Sequence, residues 1–304
     1  MTKMSYICLV INQLNIMNNL VQNYKIILDK LTENCSHIKS FSQIRQPKLS
    51  NIELVSLILT AEHMSYSSEL QSFRAIKSTE LESKIERSVY NKRRKRLVCY
   101  TEKIRQTISK KFSHLSNLFI IDSICKPVRA KRSNICANDQ IQPTFGYSAV
   151  KKSHCFGYKL HLVCDENAII HSFDFTPANL HDVNYLKNVK YNLQNCELIG
   201  DRAYISAHYQ ADLFNYRQIK LSVPMRSNAL NPTDFSTVKR KKRKRIETLI
   251  SQLNGQFKLN ENFAKTFEGL IARIVAKITA LTVIQFINLF VFQRNINTIK
   301  VNID

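Results

Sequence analysis

The sequence predicts an α/β protein in which a mixed five-stranded sheet with flanking helices follows an all-helical N-terminal region. Up to about residue 116, apolar residues recur at the spacing of helices and no strand signal is present. Beyond that point, short apolar runs bounded by turn residues indicate strands, and helical patterns separate the later ones. We therefore expect a helical region over 1–115, an α/β domain over 116–292 and a C-terminal tail over 293–304.

The helical region begins with an amphipathic helix over residues 17–38, because apolar residues lie there at steps of three and four. Residues 1–16 add little pattern, and we treat them as an appendage. The positions expected to face the core are Leu20, Tyr24, Ile27 and Leu31.

A second helix is predicted over Asn51–Met64, after the break at Pro47. Ser50 stands at its N-cap with Glu53 three residues later, which is the capping-box pattern. Residues 69–115 continue with helical spacing and carry five consecutive cations, Lys92 to Arg96. We predict a DNA-binding region with a basic helix, although the spacing alone does not establish a helix-turn-helix.

Five strands are predicted in the second half of the chain, and three helices follow the third, fourth and fifth of them. The order β-β-β-α-β-α-β-α is that of the RNase H fold, and its connections obey the usual topological rules. The strands are Leu118–Ile124, Tyr158–Cys164, Ala168–Phe175, Cys196–Gly200 and Lys220–Val223, and the helices are Asp182–Leu193, Ala203–Phe214 and the segment around Glu247.

The net charge indicates a polyanionic partner. Lys and Arg total 45 against 23 Asp and Glu, which gives a formal charge of +22. Nucleic acid is the leading candidate for such an excess, and an anionic membrane surface is the alternative.

Eight cysteines are scattered through the chain without CxxC or zinc-ligand spacing. We therefore expect no structural zinc site and a protein of the reducing cytoplasm.

The apolar segment Ile278–Phe292 is interrupted by Gln285 and Asn288 and is shorter than the ~20 residues of a membrane span. We interpret it as a buried helix packed on the sheet, with no membrane partner.

A run of seven consecutive cations precedes Glu247. Such a run is more often a solvated face, but here Ile246, Leu249 and Leu253 continue it at helical spacing, so the helix packs on a core. Two further cations follow the first strand. The residues predicted to bind DNA are Lys239, Arg240, Lys241, Lys242, Arg243, Lys244, Arg245, Lys131 and Arg132.

Three acids occupy informative places on the predicted topology. Asp122 lies within an apolar strand, Asp201 ends the fourth strand, and Glu247 shares a helix face with Arg243. Singly, Asp122 is more often a hydrogen-bonded core acid and Asp201 a helix N-cap. Together they indicate a metal site, because two carboxylates about 5 Å apart repel by roughly 3 kcal/mol unless a cation compensates them.

Oxygen ligands without histidine or cysteine favour Mg²⁺ or Mn²⁺. Two such ions about 4 Å apart can activate a nucleophile and stabilise the leaving oxygen of a phosphodiester. The predicted reaction is in-line phosphoryl transfer on nucleic acid, with Asp122, Asp201 and Glu247 as catalytic residues and metal ligands.

Several blocks of the sequence resemble those of DDE transposases from bacterial insertion sequences, most closely the insertion sequence 982 family. The blocks are NLFIIDSICKPV, FGYKLHLVC, HSFDFTPANLHDVNYLK, LIGDRAYIS and KRKRIETLISQL, with PKLSNIELVSLILTAEH and IERSVYNKRRKRL in the helical part. The resemblance runs from about residue 18 to 290 and implies an RNase H-like core in which Asp122, Asp201 and Glu247 are the three acids. The chain departs from the family pattern at Arg202 and Ala203, where a Lys-Gly pair is expected, and at Asn254, near an expected lysine.

The resemblance implies metal-dependent cleavage at the ends of an insertion sequence and attack of the 3′-hydroxyl on target DNA. Its partners would be terminal inverted repeats and target DNA, bound by a homo-oligomer. The alternatives are a plain metal-dependent nuclease and a nucleic-acid-binding protein that keeps the fold without activity.

A further pair, His181 and Asp182, stands between the third strand and the next helix. Asp182 either caps that helix or supports the metal site. His161 and His171 alternate with apolar residues, so they are interpreted as core or surface histidines.

Overall fold

A computed structural model describes residues 3–41, 45–128, 142–148, 153–225, 235–261 and 263–300. The chain divides into two compact units. The helical unit comprises Met1–Ile108, Leu253–Ala264 and Glu268–Asp304, and the sheet unit comprises Ser109–Gln252 and Lys265–Phe267. The predicted DNA-binding residues Lys131 and Arg132 lie outside the described residues.

The N-terminal helices follow the apolar pattern. The first helix begins at Lys3, before the predicted start, and all four residues expected to face the core are buried. The helices of this part are α1 (Lys3–Cys35), α2 (Asn51–His63), α3 (Glu69–Ala75), α4 (Arg87–Arg96) and α5 (Val98–Lys110), with a 3₁₀ turn at Glu82–Lys84.

The predicted capping box is present at the start of α2. The backbone N–H of Glu53 donates to Ser50 Oγ at 3.3 Å, and the backbone N–H of Ser50 donates to Glu53 Oε2 at 2.7 Å. Two N–H groups that the first helical turn leaves unpaired are thereby satisfied. The helix is buried from Leu54 to His63, which makes it a core element of the helical unit.

The predicted basic helix α4 uses two of its cations inside the protein. Arg94 Nη2 donates to Glu69 Oε1 at 2.6 Å, and Arg93 Nη2 donates to Asn51 Oδ1 at 2.9 Å. Both arginines are buried. Fewer cations of this run are therefore available to DNA than the sequence suggests.

The cationic segment and Glu247 lie in helix α8 (Thr237–Gly255). The apolar segment forms the second half of helix α9 (Phe267–Phe286) and the π-helical turn Ile287–Val291 that extends this helix. By length and composition Phe267–Val291 could cross a membrane, but 83% of its most apolar window is buried inside the protein. From Glu268 onward α9 belongs to the helical unit, whereas we expected it to pack on the sheet. Only its first residue, Phe267, is grouped with the sheet unit, where its ring lies 4.8 Å from that of Tyr158.

A buried ion pair lies in the core of the helical unit. Lys277 of α9 donates to Glu62 Oε2 at 2.6 Å and to the carbonyl oxygen of Phe257 at 2.5 Å. The side chains are 3% and 7% exposed, so α9 is not uniformly apolar inside this core. The chain after α9 is also tied down, because Asn288 Nδ2 donates to the carbonyl oxygens of Ile296 and Thr298.

The sheet unit is built on a mixed sheet. Its strands are β1 (Leu118–Pro127), β2 (Thr144–Ser148), β3 (Ser153–Asp165), β4 (Ile170–Pro177), β5 (Cys196–Ile199) and β6 (Ile219–Ser222). The remaining helices are α6 (Leu186–Val189) and α7 (Ala207–Arg217), with 3₁₀ turns at Asp182–Tyr185 and Arg202–Tyr204.

The sheet topology confirms the predicted RNase H-like class. β3 pairs antiparallel with β1 and β4, whereas β5 pairs parallel with β1 and β6. The five predicted strands thus lie in the order β4-β3-β1-β5-β6, and β2 adds a sixth that pairs with the start of β3. Phe119, Leu198 and Leu221 on the covered face pack with Tyr185 of the 3₁₀ turn Asp182–Tyr185 and with Leu213 of α7.

Cys125 of β1 and Cys155 of β3 form a disulfide, with their Cα atoms 6.8 Å apart. The sequence pattern did not predict this bond, because the two cysteines are separated by 30 residues and become neighbours only through the antiparallel pairing. Cys35, Cys164 and Cys196 are buried free thiols, and Cys99 is an exposed one.

Gly157 sits where β3 passes from β2 to β1, and we expect Gly157→Ala to destabilise the sheet unit by at least about 3 kcal/mol. Its φ is +155°, and an added Cβ would lie 2.2 Å from the carbonyl oxygen of Lys126, a backbone atom that cannot move aside. Urea unfolding followed by circular dichroism measures the loss. Gly255→Ala is the matched control, because nothing lies within 4 Å of its added Cβ. Equal midpoints for the two variants would contradict this account.

Candidate active site

The sheet register aligns the first two predicted acids. In the parallel pair of β1 and β5, Ile120 stands opposite Ile199. Asp122 and Asp201 each follow two residues later and therefore face the same side, since side chains alternate along a strand. Both lie at the carboxyl end of β5, where open sheets of this kind place their ligands.

Each aspartate has a local hydrogen bond that fixes its carboxylate. Asp122 Oδ1 accepts from the backbone N–H of Ser123 at 2.7 Å. Asp201 is the N-cap of the Arg202–Tyr204 turn, and its Oδ1 accepts from the backbone N–H of Ala203 at 2.9 Å. Asp201 therefore caps the turn, as the sequence suggested, and also lies at the candidate site.

The electrostatics of the pair favour protonation or a bound cation. Burial raises the pKa of Asp122 to about 6, and the charge of Asp201 adds to this, while the bond from Ser123 and the charge of Arg243 oppose it. Burial also raises the pKa of Asp201, with a contribution from Asp182 and opposition from Ala203 and Arg243. The two carboxylates are therefore destabilised when both are charged.

Glu247 forms an ion pair with Arg243, whose charge lowers the pKa of both aspartates. Helix α8 buries Ile246, Leu249 and Leu253, which leaves Glu247 on the solvent side with 49% of its side chain exposed. Its Oε1 is 2.9 Å from Nη2 of Arg243, the partner on the same helix face that the sequence predicts. Within the described ranges, no three His, Cys, Asp or Glu side chains converge closely enough to hold a metal ion.

Asp182 forms an ion pair with a lysine and does not cap the turn that it begins. The N-cap of its 3₁₀ turn is His181, which makes no capping bond, and Asp182 Oδ1 lies 3.0 Å from Lys159 Nζ. The charge of Asp182 acts on both Asp122 and Asp201. Sequence reasoning missed Lys159, although its being the one cation within the apolar alternation YKLHLVC is a usable signal.

The histidine of the same strand is structural. His161 is buried, stacks on Tyr185 with ring centroids 4.5 Å apart, and has its Nε2 2.8 Å from Thr176 Oγ1. Burial lowers the pKa of His161 to about 4, against the opposing charge of Asp182. The imidazole is therefore neutral at physiological pH, as expected of a core histidine.

Most of the cationic run on α8 is engaged within the protein. Lys239 pairs with Glu197 and donates to Ser222, and Lys242 pairs with Glu166 at 2.9 Å. The hydrogen bond from Lys242 lowers the pKa of Glu166. Arg240 and Arg245 donate to the carbonyl oxygens of Phe235 and Asn167.

Two cations of the run remain exposed without such contacts. In the described part of the chain no carboxylate lies within ion-pair distance of Lys241 or Lys244. These two positions are the most available to an external phosphate.

Comparison with known proteins identifies the family. The family model for the transposase DDE domain matches residues 113–283. A solved structure, the Mos1 transposase paired-end complex with left transposon end, is similar at 12% identity, covering 77% of this chain and 86% of that chain with a TM-score of 0.22. No curated protein sequence matches the chain. Because the family model spans more than half of the chain, the protein belongs to the transposase DDE domain family and functions as a DNA transposase.

Proposed function

We propose that this transposase carries out phosphoryl transfer at Asp122, Asp201 and Glu247, cutting the ends of an insertion sequence and joining them to target DNA. The observation that supports the proposal most strongly is the register of β1 and β5, which aligns the two aspartates at one end of the sheet. The charge of Arg243 lowers the pKa of both aspartates, and its guanidinium forms an ion pair with Glu247. One cation therefore interacts with all three acids.

The chemistry of these side chains fits a hard divalent cation. The donors are carboxylate oxygens, which suit Mg²⁺ or Mn²⁺. Burial raises the pKa of both aspartates, so a bound cation would stabilise their charged forms. Asp122, Asp201 and Glu247 would hold the metal, which we propose to be two ions. When bound, they supply Lewis acidity toward the phosphodiester and a nucleophile at neutral pH.

The protein itself positions the DNA and orients the acids. Lys241 and Lys244 are exposed on the helix that carries Glu247, so phosphates bound there lie along the same element. The backbone bonds from Ser123 and Ala203 orient the two aspartates. Arg243 supplies a guanidinium that can bind a phosphate in place of Glu247, which would release the third carboxylate.

The partners that follow are terminal inverted repeats and target DNA. The helical region, residues 1–115, would bind the repeats, with the α/β domain over 116–292 acting on them as part of a homo-oligomer. We also propose membership of the insertion sequence 982 family and a cytoplasmic location. The sequence blocks that carry the resemblance support the family assignment, and the net charge of +22 supports DNA as the partner.

Cleavage of the DNA that flanks the gene, with and without Mg²⁺, tests the proposal. Nicks at the element ends that require Mg²⁺, followed by joining to a target plasmid, are the expected result. Metal-dependent cutting without joining would indicate a nuclease. Binding without cutting in Mg²⁺ or Mn²⁺ would indicate an inactive DNA-binding protein.

The cationic run gives a quantitative prediction for DNA binding. Lys241→Ala with Lys244→Ala should make the slope of log affinity against log salt shallower by about 1.8, since each phosphate contact contributes about 0.9. If Lys239, Arg240, Lys241 and Lys242 all contacted phosphates, replacing the four would make the slope shallower by about 3.6. Because Lys239 and Lys242 are already paired with Glu197 and Glu166, we expect replacement of these four cations to change the slope by less than about 3.6.

Fluorescence anisotropy over a salt series measures these slopes. The matched control is Lys239→Ala with Lys242→Ala, which removes the same charge from the same helix at paired positions. If both double variants leave the slope unchanged, the run is a solvated face and DNA binds elsewhere.

A further inference from the structure

We infer that the ribbon formed by β2 and the first residues of β3 binds unpaired DNA bases by aromatic stacking. The binding surface consists of four rings, those of Phe145, Tyr147, His154 and Phe156, and we call it the aromatic face. The inference goes beyond the proposed function, because it requires neither a metal ion nor the three proposed catalytic acids.

The strand pairing places these four rings on the same side of the ribbon. Phe145 stands directly opposite Phe156, and Tyr147 stands opposite His154. Side chains alternate along a strand and opposed residues share a face, so the two pairs form successive rungs. The ring centroids are 4.7 Å apart in the first pair and 5.2 Å apart in the second. The rungs are about 6.8 Å apart, which matches two steps of ~3.4 Å along one DNA strand.

The aromatic face is open, whereas the opposite side of the ribbon packs on the sheet unit. Phe145 and Tyr147 are 67% and 59% exposed, and His154 is exposed as well. On the opposite side Gly146 is buried, and it has no room for a Cβ because it lies against the backbone of Ala178. The ribbon therefore presents its rings outward from the protein.

A disulfide and a hydrogen bond fix the ribbon in this position. Cys155, which stands opposite Gly146, is bonded to Cys125 of β1. At the start of β2 the backbone N–H of Asn179 donates to Thr144 Oγ1 at 3.0 Å. Because the backbone beneath the rings is already held, binding to them loses little conformational entropy there.

The local charge favours a polyanion as the occupant of the aromatic face. In the sequence from Ser123 to Cys164, Lys and Arg occur seven times, and Asp139 is the one acid. Exposed rings in a cationic segment are the combination that binds single-stranded nucleic acid, because rings stack on bases and cations neutralise phosphates. Since the protein functions as a DNA transposase, DNA is the nucleic acid that we assign to this face.

Stacking also determines which form of DNA fits. In a duplex each base is covered by the base pairs above and below it, so its face is not available to a side chain. In a single strand the base faces are available, and stacking tolerates any sequence because every base has a π-face. We therefore expect the aromatic face to contribute to binding of single-stranded DNA and not of duplex.

Fluorescence anisotropy with the full-length protein in EDTA tests the inference. One probe is a single strand of about 12 nucleotides, and the other is a strand of the same length in which every base is missing. The wild type should bind the intact strand at least about tenfold more tightly, because the two probes carry the same phosphates and differ only in their bases.

Replacing the two most exposed rings should remove this preference. Phe145→Leu with Tyr147→Leu should bind the intact strand within about twofold of the abasic strand and bind duplex DNA as the wild type does. The matched control is Phe214→Leu with Tyr191→Leu, which removes the same two ring types at positions that are 51% and 68% exposed in the same unit. This control should keep the wild-type preference.

A second variant keeps a ring in place and reports on stacking directly. The chain has no tryptophan, so Phe145→Trp introduces a single indole on the aromatic face. The intact strand should quench its emission and the abasic strand should not, because only a base can stack on the indole. This variant remains informative if the double leucine variant does not fold.

Three results would overturn the inference. The first is equal affinity of the wild type for the intact and abasic strands, and the second is an equal loss in the ribbon and control variants. The third is a ribbon variant that keeps the wild-type preference but changes its oligomeric state in sedimentation, which would assign the aromatic face to a second copy of the chain. Failure of the proposed function is distinct, because Mg²⁺-dependent cleavage would then be absent while the preference for the intact strand persists.

Discussion

Asp122→Asn should reduce cleavage of terminal-repeat DNA by about 10³-fold or more while making the metal-free protein more stable at pH 8. Asparagine keeps the shape of the side chain but removes the charge that would hold a cation. A variant that loses activity but gains stability identifies a functional acid that is unfavourable in the folded protein. Replacing a structural acid would instead lower both the activity and the stability of the protein.

The stability gain should depend on pH with a defined sign. Burial raises the pKa of Asp122 from 3.8 to about 6, so its contribution to folding is most favourable below the unfolded value and is lost as the pH rises through about 6. Above that pH the wild type carries a penalty of roughly 2–3 kcal/mol that the variant lacks. At pH 4 the two proteins should be nearly equal.

Urea unfolding in EDTA at pH 4 and pH 8, with a cleavage assay in Mg²⁺, measures both effects. Asp201→Asn should behave alike, and combining the two should add little, because ligands of one site act as a unit. A stability difference independent of pH would show that the carboxylate is not strained in the folded protein.

Glu247→Gln provides the comparison within the proposed triad. Cleavage should fall by orders of magnitude here too, but the metal-free protein should lose at most about 0.5 kcal/mol, the value of an exposed ion pair at this helical spacing. A variant that cuts at the wild-type rate would remove Glu247 from the site. The third acid would then have to be sought at Glu261 or Glu268.

Glu62→Ala should destabilise the helical unit by about 3–5 kcal/mol, since it leaves the ammonium of Lys277 buried without its partner. The carbonyl of Phe257 still accepts from that ammonium but carries no full charge to compensate it. A loss of this size is a large part of the stability of an ordinary domain. Chemical unfolding monitored by far-ultraviolet circular dichroism measures it.

Two controls separate the buried charge from loss of packing. The double variant Glu62→Leu with Lys277→Met removes both charges while keeping volume, so it should fall within about 1 kcal/mol of the wild type or exceed it. Glu80→Ala breaks the exposed pair with Lys25, whose side chains are 51% and 63% exposed, and should cost less than about 1 kcal/mol. Equal losses in Glu62→Ala and the double variant would assign the effect to packing.

The elements that local physics determines were predictable from the sequence. The Ser50–Glu53 box depends on residues three apart, and the buried face of α1 follows from its apolar spacing. The strands around Asp122 and Asp201 were predictable for the same reason, since their apolar runs are bounded by clear turns. The ion pair of Arg243 with Glu247 follows from helical spacing alone.

Contacts between distant residues were not predictable. Lys277 and Glu62 are 215 residues apart, so nothing near either of them signals the buried pair. Strand β2 was missed because its short sequence, TFGYS, has no apolar run and is defined by pairing with β3. At the site, Lys159 meets Asp182 only after β3 and β4 have paired, so one sequence could not decide what Asp182 does.

The helical unit is built from both ends of the chain, and this has a consequence during translation. Its N-terminal helices are complete by Ile108, but the segment that enters the same core from the other end starts at Leu253. Ribosomes add about 5–20 residues per second, so the early helices wait on the order of ten seconds for their last core helix. During that time the surface of the N-terminal helices that contains Glu62 and its apolar neighbours is not yet covered by α9. A nascent chain that stalls or is truncated in this interval exposes this aggregation-prone surface. The helical unit therefore completes its core only after the sheet unit has been synthesised.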